Sequence, residues 1–348
     1  MKVLPTPCLV LVSAFAVCCT FPPAMAQSTP QRSLLALSKH DHTLAIVDAS
    51  TLRVVARLPV GPDPHEVIAS SDGKTAYVSI YGFGRYHALS VLDLVAQKAL
   101  PDIDTGALTG PHGLAYVDGK LWFTAEGAKA IARFDPRTKA IDWIMGTGQN
   151  RTHMLYVSED QKHVYTTNVS SGTVTLLEQL AAPPGTSLPR SGQPAPESML
   201  WNETVIPVGK GDEGFDISPD GRELWTANAQ DGSLSILDLN RRTVAATLDA
   251  KIFASNRLKF TPDGKLVFIS SLRGTDVVIY GAASRQEYKR VPVGHGAAGI
   301  LLDPVGQRVF VACTPDNYVV VIDLKSLAVT GHVDVGAEPD GLAWAERH

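Results

Sequence analysis

Histidine is the residue type through which this sequence offers chemistry. His65, His112 and His153 each precede a short apolar stretch, in the segments GPDPHEV, GPHGL and NRTHML. Neutral imidazoles grouped with carboxylates form the ligand set that divalent transition metals prefer. A bound cation would act as a Lewis acid on a carbonyl group, and a histidine without a metal bond would act as a general acid or base. The pattern predicts such chemistry if the fold brings the three together.

The element that must position these histidines is a repeat. Residues 208–248, VGKGDEGFDISPDGRELWTANAQDGSLSILDLNRRTVAATL, contain four short strand-like stretches separated by turn residues. They predict four antiparallel strands, with Asp220-Gly221 supplying the positive φ angles of a tight hairpin turn. A unit this small cannot bury both of its faces alone, so it must stack on copies of itself.

The copies can be aligned on the residue that closes each third strand. That residue is Asp48, Asp93, Asp135, Glu178, Asp238, Gly281 and Asp323 in turn. The steps are 45, 42, 43, 60, 43 and 42 residues, and all but one match the roughly 40–45 residues of propeller blades. The longest step contains a Pro-, Gly- and Ser-rich stretch at 181–198. We interpret it as an extended bottom-face loop between third and fourth strands, a flap or a partner contact.

The two ends of the chain each supply part of one blade. Residues 33–60 contain only the later three strands of a repeat, and residues 335–348, VGAEPDGLAWAERH, contain only its beginning. Together they complete a seventh blade and join the ends of the ring through sheet hydrogen bonds. We therefore predict an all-β protein, a seven-bladed β-propeller of four-stranded antiparallel blades, forming one domain over residues 27–348.

On this fold, the loops around the central channel meet at one face, here called the top face. The position just before each innermost strand is occupied, blade by blade, by His65, His112, His153, Glu213, Asn256, Ala298 and Asp340. The predicted metal ligands are His65, His112, His153 and Glu213. The predicted ligand-binding residues are His65, Glu66, Glu213, Asn256, Asp340 and Arg85. The alternative is that the ring residues only cap the inner strands or line a wet channel.

Other top-face loops support this face as the functional one. Arg85 lies in the loop YGFGRYH with three aromatic residues, a composition that suits recognition of a ligand or partner. Four more histidines fall in loops of the same face, namely His40, His42, His87 and His295. Seven of the ten histidines are thus predicted on one side of the ring.

Residues 1–26 have the features of a signal peptide. Lys2 gives a basic start, residues 9–17 are an apolar run too short to span a bilayer, and Ala24-Met25-Ala26 matches an A-x-A cleavage site. The prediction is export, with a mature chain that starts near Gln27 and is periplasmic or secreted. No other stretch is long and apolar enough for a membrane helix.

Charge and cysteine content narrow the partners. A net charge of −4 disfavours nucleic acid, which binds basic surfaces. Three of the four cysteines fall within residues 1–26, so Cys313 is alone in the predicted mature chain and forms no internal disulfide. Its place at the end of the strand VFVAC favours packing over a nucleophilic role. The expected partner is a small-molecule ligand or a periplasmic protein, and the expected state is a monomer.

The repeats resemble a known family. AYVSI, VYTTN and LWTAN, followed by SVLDL, VTLLE and SILDL, look like the YVTN family of exported seven-bladed propellers, over essentially the whole mature chain. Residues 111–141, PHGLAYVDGKLWFTAEGAKAIARFDPRTKAI, are similar to repeats of the streptogramin B lyases. The second resemblance implies metal dependence and a catalytic glutamate. Those lyases commonly carry the acid directly after WFT, whereas here Ala125 stands before Glu126.

Two function classes remain. The first is an exported propeller that binds a small molecule, a metal or a protein at the mouth of its channel. The second is a metal-dependent lyase or lactone hydrolase that uses His112, His153 and Glu126 at the same face. The second class requires a divalent metal, Zn, Mg, Mn or Ca, and the first employs such a metal or none. The regular repeat and the absence of a Ser-His-Asp order, a P-loop or a CxxC motif favour the first class.

Overall fold

A computed structural model describes residue 1 and residues 28–181, 199–305 and 307–348. The predicted signal peptide lies outside the described residues apart from Met1. The predicted loop at 181–198 lies outside them apart from Ala181.

The described residues form 28 strands. The first three are β1 (Arg32–Ser38), β2 (Thr43–Asp48) and β3 (Val54–Pro59). Blade 1 contains β4 (Pro64–Ala69), β5 (Thr75–Ile80), β6 (Ala88–Asp93) and β7 (Lys98–Asp104). Blade 2 contains β8 (Pro111–Val117), β9 (Lys120–Ala125), β10 (Ala130–Asp135) and β11 (Ala140–Gly146). Blade 3 contains β12 (Thr152–Val157), β13 (His163–Asn168), β14 (Thr173–Ala181) and β15 (Met199–Pro207).

The remaining blades follow the same pattern. Blade 4 contains β16 (Asp212–Ile217), β17 (Glu223–Asn228), β18 (Leu234–Asp238) and β19 (Thr243–Leu248). Blade 5 contains β20 (Ser255–Phe260), β21 (Leu266–Ser271), β22 (Asp276–Gly281) and β23 (Gln286–Pro292). Blade 6 contains β24 (Ala297–Leu302), β25 (Arg308–Cys313), β26 (Tyr318–Asp323) and β27 (Ala328–Val333), and β28 spans Pro339–Glu346. Two single-turn 3₁₀ segments, Gly82–Gly84 and Thr314–Asp316, lie in connections.

The strands form seven antiparallel four-stranded sheets, and the protein is a seven-bladed β-propeller. Six blades follow chain order, and the seventh has the order β28-β1-β2-β3. Its pairing runs from Arg32 opposite Glu346 to Ser38 opposite Pro339, which confirms the predicted closure of the ring. The first strand of each blade contacts its counterparts in both neighbouring blades, so these strands line the channel.

Burial follows from the stacking of the blades. The second strand of each blade is covered on both faces, as in TAYVSI of β5, where five of the six residues are buried. The fourth strand alternates between covered and exposed residues, as in β11. Tryptophans fill the gap between blades 2 and 3, where Trp122, Trp143 and Trp201 contact one another with ring centroids 5.1 and 5.2 Å apart. These rings therefore pack blade 2 against blade 3.

The bottom-face hairpins differ in part from the prediction. In blade 2 both Asp118 and Gly119 have positive φ, 48° and 72°, as the predicted two-residue Asp-Gly turn requires. In blade 4 only Gly221 does, at 71°. Asp220 instead accepts hydrogen bonds from the Ser218 hydroxyl at 2.6 Å and the Arg222 amide at 3.1 Å. The aspartate therefore closes a longer turn with its side chain.

Two further expectations can be compared with the fold. Cys313 is fully buried at the end of β25, and burial raises the pKa of its thiol to about 12, which fits the packing role. Within the ranges that the structure describes, no helix has the length and hydropathy needed to cross a membrane.

Candidate functional site

The ring residues are aimed by a bulge that recurs at the start of each innermost strand. In blade 1, Pro64 pairs with Ile80 but Val67 pairs with Val78, so His65 and Glu66 together face one partner residue. The same shift recurs in the other six blades. A bulge turns side chains away from the regular alternation of a strand. The ring residues are therefore the second residues of their strands, and not residues before the strands as predicted.

Hydroxyl side chains tie the bulges of blades 2 and 3 to the next blade. Thr124 Oγ1 accepts a hydrogen bond from the Gly113 amide at 2.8 Å and donates to the carbonyl of His153 at 2.6 Å. Thr167 makes the matching pair of contacts with Met154 and Glu213, at 3.3 and 2.9 Å. The site backbone is thus held by three consecutive blades. The signal in the sequence, a Ser or Thr one residue before the end of the second strand, was overlooked.

Gly113 allows blades 2 and 3 to approach each other at the site. A Cβ atom built on it would lie 2.5 Å from the His153 carbonyl oxygen and 2.9 Å from Met154 Cα. Gly113→Ala should therefore lower the free energy of unfolding by about 1–3 kcal/mol, the cost of overpacking. Urea unfolding measures the loss. Gly146→Ala is the matched control, because no atom lies within 4 Å of the added Cβ and its φ, like that of Gly113, is not positive. A Gly113→Ala protein as stable as the wild type would contradict this close approach.

The site centres on three histidines whose rings lie next to one another at tilted angles. The ring centroids of His112 and His153 are 3.9 Å apart, and those of His65 and His112 are 5.0 Å apart. Tyr81 sets its edge against both His65 and His112. His112 and His153 each expose only 2% of their surface. The three histidine rings thus lie side by side, which the sequence left open.

Glu126 binds this cluster from the loop after β9. It contacts His153 Nδ1, accepts a hydrogen bond from the Tyr81 hydroxyl at 2.6 Å, and lies 3.4 Å from Arg151 Nε. One ligand atom from each of His112, Glu126 and His153 can be chosen so that all lie within 4.8 Å of one another. Glu126 thus stands in this set where the sequence placed His65. Tyr81, predicted in an exposed recognition loop, is instead buried against Glu126.

The two buried histidines of the cluster have pKa values shifted in opposite directions. Burial, with the nearby charge of His153, holds the pKa of His112 well below its usual value, so this ring is neutral at pH 7. Burial opposes charge on His153 too, but its contacts with Glu126 and Glu213 outweigh burial and raise its pKa. Burial opposes charge on Glu126 as well, but its contact with His153 outweighs burial and lowers the pKa of Glu126 to about 2.

Two buried nitrogens of the cluster have no hydrogen-bond partner among the described residues. They are His112 Nδ1 and His153 Nε2. The group nearest to His153 Nε2 is the Glu213 carboxylate, whose Oε1 lies 3.5 Å away, at an ion-pair distance but without a hydrogen bond. Asn256 Nδ2 donates to the same carboxylate oxygen at 3.2 Å. Buried polar atoms are nearly always paired, so these two nitrogens call for an occupant or a function.

His65 has a different set of partners. Its Nε2 lies 3.0 Å from Asp63 Oδ1 and 3.1 Å from Lys39 Nζ, and its Nδ1 lies 3.6 Å from Asp340 Oδ2. Lys39 Nζ also contacts Asp340 Oδ2 at 3.3 Å. This salt-bridged group gives His65 and Asp340 structural partners of their own. Lys39 and Asp63 were not identified from the sequence.

An ion pair spans the channel below the histidines. Arg257 of blade 5 binds Glu66 of blade 1, and both side chains are largely buried, with exposures of 8% and 12%. Arg257 also donates to the carbonyl of Asn256 at 3.1 Å. Nearby carboxylates outweigh burial and raise the pKa of Arg257. The predicted ligand-binding residue Glu66 is thus engaged by an arginine that the sequence analysis missed.

The outer histidines and Arg85 do not join the centre. Three of these histidines are exposed and contact a neighbouring aspartate, namely His40 with Asp41, His87 with Asp104 and His295 with Asp316. Arg85 is exposed beyond the 3₁₀ turn and makes no ion pair within the part of the chain that the structure describes.

The residues present fit a metal ion. Two buried imidazoles stand with carboxylates, and neither His112 Nδ1 nor His153 Nε2, which faces Glu213, has a hydrogen bond among the described residues. Glu126 can either bind the metal or hold His153 by its other nitrogen, as carboxylates commonly do behind metal-bound histidines. Nitrogen donors favour Zn²⁺ and related transition ions over Mg²⁺ and Ca²⁺, which prefer oxygen ligands.

Comparison with known proteins supports the propeller fold and does not identify a function. No known family profile matches the sequence, and no curated protein matches it. Among solved structures, a protein of unknown function from Desulfotomaculum acetoxidans is 14% identical, with 91% of this chain and 99% of that chain covered and a TM-score of 0.70. A provisionally assigned 6-phosphogluconolactonase from Bacteroides uniformis is 14% identical, with 90% and 100% covered and a TM-score of 0.70. Hydrazine synthase of Kuenenia stuttgartiensis is 16% identical, with 80% and 89% covered and a TM-score of 0.65.

Proposed function

We propose that this propeller binds a divalent transition-metal ion, together with a small polar molecule, at the top-face mouth of its channel. The observation that carries this proposal is the pair of buried nitrogens without a hydrogen bond, His112 Nδ1 and His153 Nε2, in a group that also contains a carboxylate. Such nitrogens are costly to bury unless something binds them. The ion would be held by His112 and His153 with Glu126 or Glu213, and it would supply a Lewis acid at the channel mouth.

Metal uptake by the untagged protein tests this proposal. Equilibrium dialysis against Zn²⁺ or Mn²⁺ should give about one equivalent bound, as expected for one closed site. Mg²⁺ and Ca²⁺ should bind far more weakly. The double variant His112→Ala with His153→Ala should take up none. Wild-type protein that takes up neither Zn²⁺ nor Mn²⁺, or a double variant that still binds one equivalent, would refute the proposal.

A metal-dependent lyase or lactone hydrolase is the second candidate. It is favoured by the contact of Glu126 with His153, because a carboxylate that fixes one nitrogen of an imidazole orients the other toward a metal, which would polarise a carbonyl group or activate water. The similarity in fold to the provisionally assigned lactonase adds a substrate class to test. Zinc-loaded protein should then open γ- and δ-lactones or cyclic esters, followed by pH-stat, and His153→Gln should abolish turnover. Turnover that survives His153→Gln would contradict this role, and no turnover of any such ester would leave binding as the function.

We further propose that the chain is an exported monomer related to the YVTN propellers. The support is the charged, apolar and A-x-A order of residues 1–26 and the repeat motifs described above. Expression of the full chain in a bacterial host should release a protein with an N-terminus near Gln27, which N-terminal sequencing detects. Retention of residues 1–26 on protein recovered from the cytoplasm alone would refute export, and light scattering tests the monomer.

A further inference from the structure

A second cavity opens on the top face beside the histidine cluster. Its volume is about 460 Å³, and its lining includes Arg151, Glu213, Phe253, Leu272 and Arg273. Glu213 connects the cavity to the cluster, because its carboxylate lies 3.5 Å from the unpartnered His153 Nε2. A molecule in this cavity would therefore reach the proposed metal site.

The charge of the lining favours an anion. Arg151 contacts Glu126 through Nε alone, and 41% of its side chain is exposed. Arg273 is exposed and forms no ion pair with any described residue. Glu213 is the one carboxylate among the described lining residues, and it is already bonded to Asn256. Two guanidinium groups thus face one occupied carboxylate, and guanidinium groups match carboxylate and phosphoryl oxygens in geometry.

One wall of the cavity is apolar. Phe253 and Leu272 leave 53% and 43% of their surfaces exposed to solvent at its edge. Exposed apolar side chains beside fixed polar groups are typical of ligand-binding clefts, where the polar groups orient an apolar body. The wall suits an aromatic ring or a short aliphatic chain.

We propose that this cavity binds a small organic anion, with a carboxylate or phosphoryl group on Arg273 and Arg151 and an apolar body on Phe253 and Leu272. The inference rests on the proposed function only in making this anion the molecule presented to His153 and the metal. Binding of the oxyanion itself requires no metal.

Calorimetric titration of metal-free protein tests the cavity. The probes are benzoate and phenyl phosphate, with benzamide as the neutral analogue and inorganic phosphate as the anion without an apolar body. At least one organic anion should bind about tenfold or more tightly than benzamide, and added salt should weaken it. Arg273→Met should remove about tenfold of that affinity, the share of one charged hydrogen bond. Arg241→Met, on the bottom face with 83% of its side chain exposed, is the matched control and should change nothing.

Several results would overturn this inference. One is that benzamide binds as tightly as the anions, and another is that Arg273→Met binds them as tightly as the wild type. The others are that inorganic phosphate binds as tightly as phenyl phosphate, or that no probe gives heat at millimolar concentration. Zinc binding measured on the same samples separates the two proposals. Zinc bound without the anion refutes only the cavity, whereas the anion bound without zinc refutes only the metal site.

Discussion

Replacing His153 with alanine is expected to lower zinc affinity by more than about a hundredfold, because loss of an outer partner alone costs about 10–100-fold. His153 Nε2 is buried, unpartnered and 3.5 Å from Glu213, whereas His153 Nδ1 is fixed by Glu126. Its removal takes away a donor that no neighbouring described residue replaces. Competition with a zinc-binding dye measures the affinity, and circular dichroism checks that the fold persists.

Two volume-conserving variants sharpen the result. Glu126→Gln should cost about 10–100-fold if Glu126 only orients His153, and more if it binds the metal directly. Glu213→Gln should cost more than Glu126→Gln if Glu213 binds the metal, and less if Glu126 does. His295→Ala, an exposed top-face histidine paired with Asp316, is the control and should bind zinc like the wild type. Zinc affinity that is unchanged in His153→Ala, or lowered equally in His295→Ala, would show that the buried cluster is not the site.

The second large effect concerns the ion pair across the channel. Glu66→Ala should lower the free energy of unfolding by about 3–5 kcal/mol, because it leaves the Arg257 guanidinium buried without its carboxylate. The double variant Glu66→Leu with Arg257→Met removes both charges and should regain most of that loss. Urea unfolding of the single and double variants gives the coupling energy between the two side chains.

An exposed pair of the same chemistry provides the comparison. Glu287 and Arg290 lie 2.7 Å apart with 39% and 43% of their side chains exposed, so Glu287→Ala should cost under about 1 kcal/mol. If Glu66→Ala costs no more than Glu287→Ala, the channel is wet enough to solvate Arg257 alone. The account of a buried ion pair across the channel would then be wrong.

The ring of candidate residues could be predicted because every repeat carries its own markers of register. The position of His65, His112, His153 and Glu213 follows from the turn residues and the closing acid of each blade, and all four lie at the mouth of the channel. The direction of each side chain could not be predicted, because it depends on a bulge that shifts pairing by one residue. The same limit explains why the predicted metal ligands His65 and Glu213 are not in the group that the structure brings together, which contains Glu126 with His112 and His153.

Contacts across the channel could not be predicted from the sequence. Glu66 and Arg257 are 191 residues apart, in blades that are not neighbours, and no spacing rule connects them. Lys39 and Arg151 could not be predicted as site residues for a different reason. They occupy loop positions filled by unrelated residue types in other blades, so the repeat gives no reason to expect a charge there. Repetition thus predicts where the site lies, and the departures from repetition decide its chemistry.

The most direct test of the metal site is anomalous diffraction from crystals of the untagged protein grown or soaked with zinc. The account predicts one strong peak at the zinc edge between His112 and His153, at roughly 2.0–2.2 Å from each coordinating nitrogen and from one oxygen of Glu126 or Glu213. That peak would also show which carboxylate is the ligand. A map with no peak among these residues, or with zinc only on exposed histidines such as His295, would contradict the central claim.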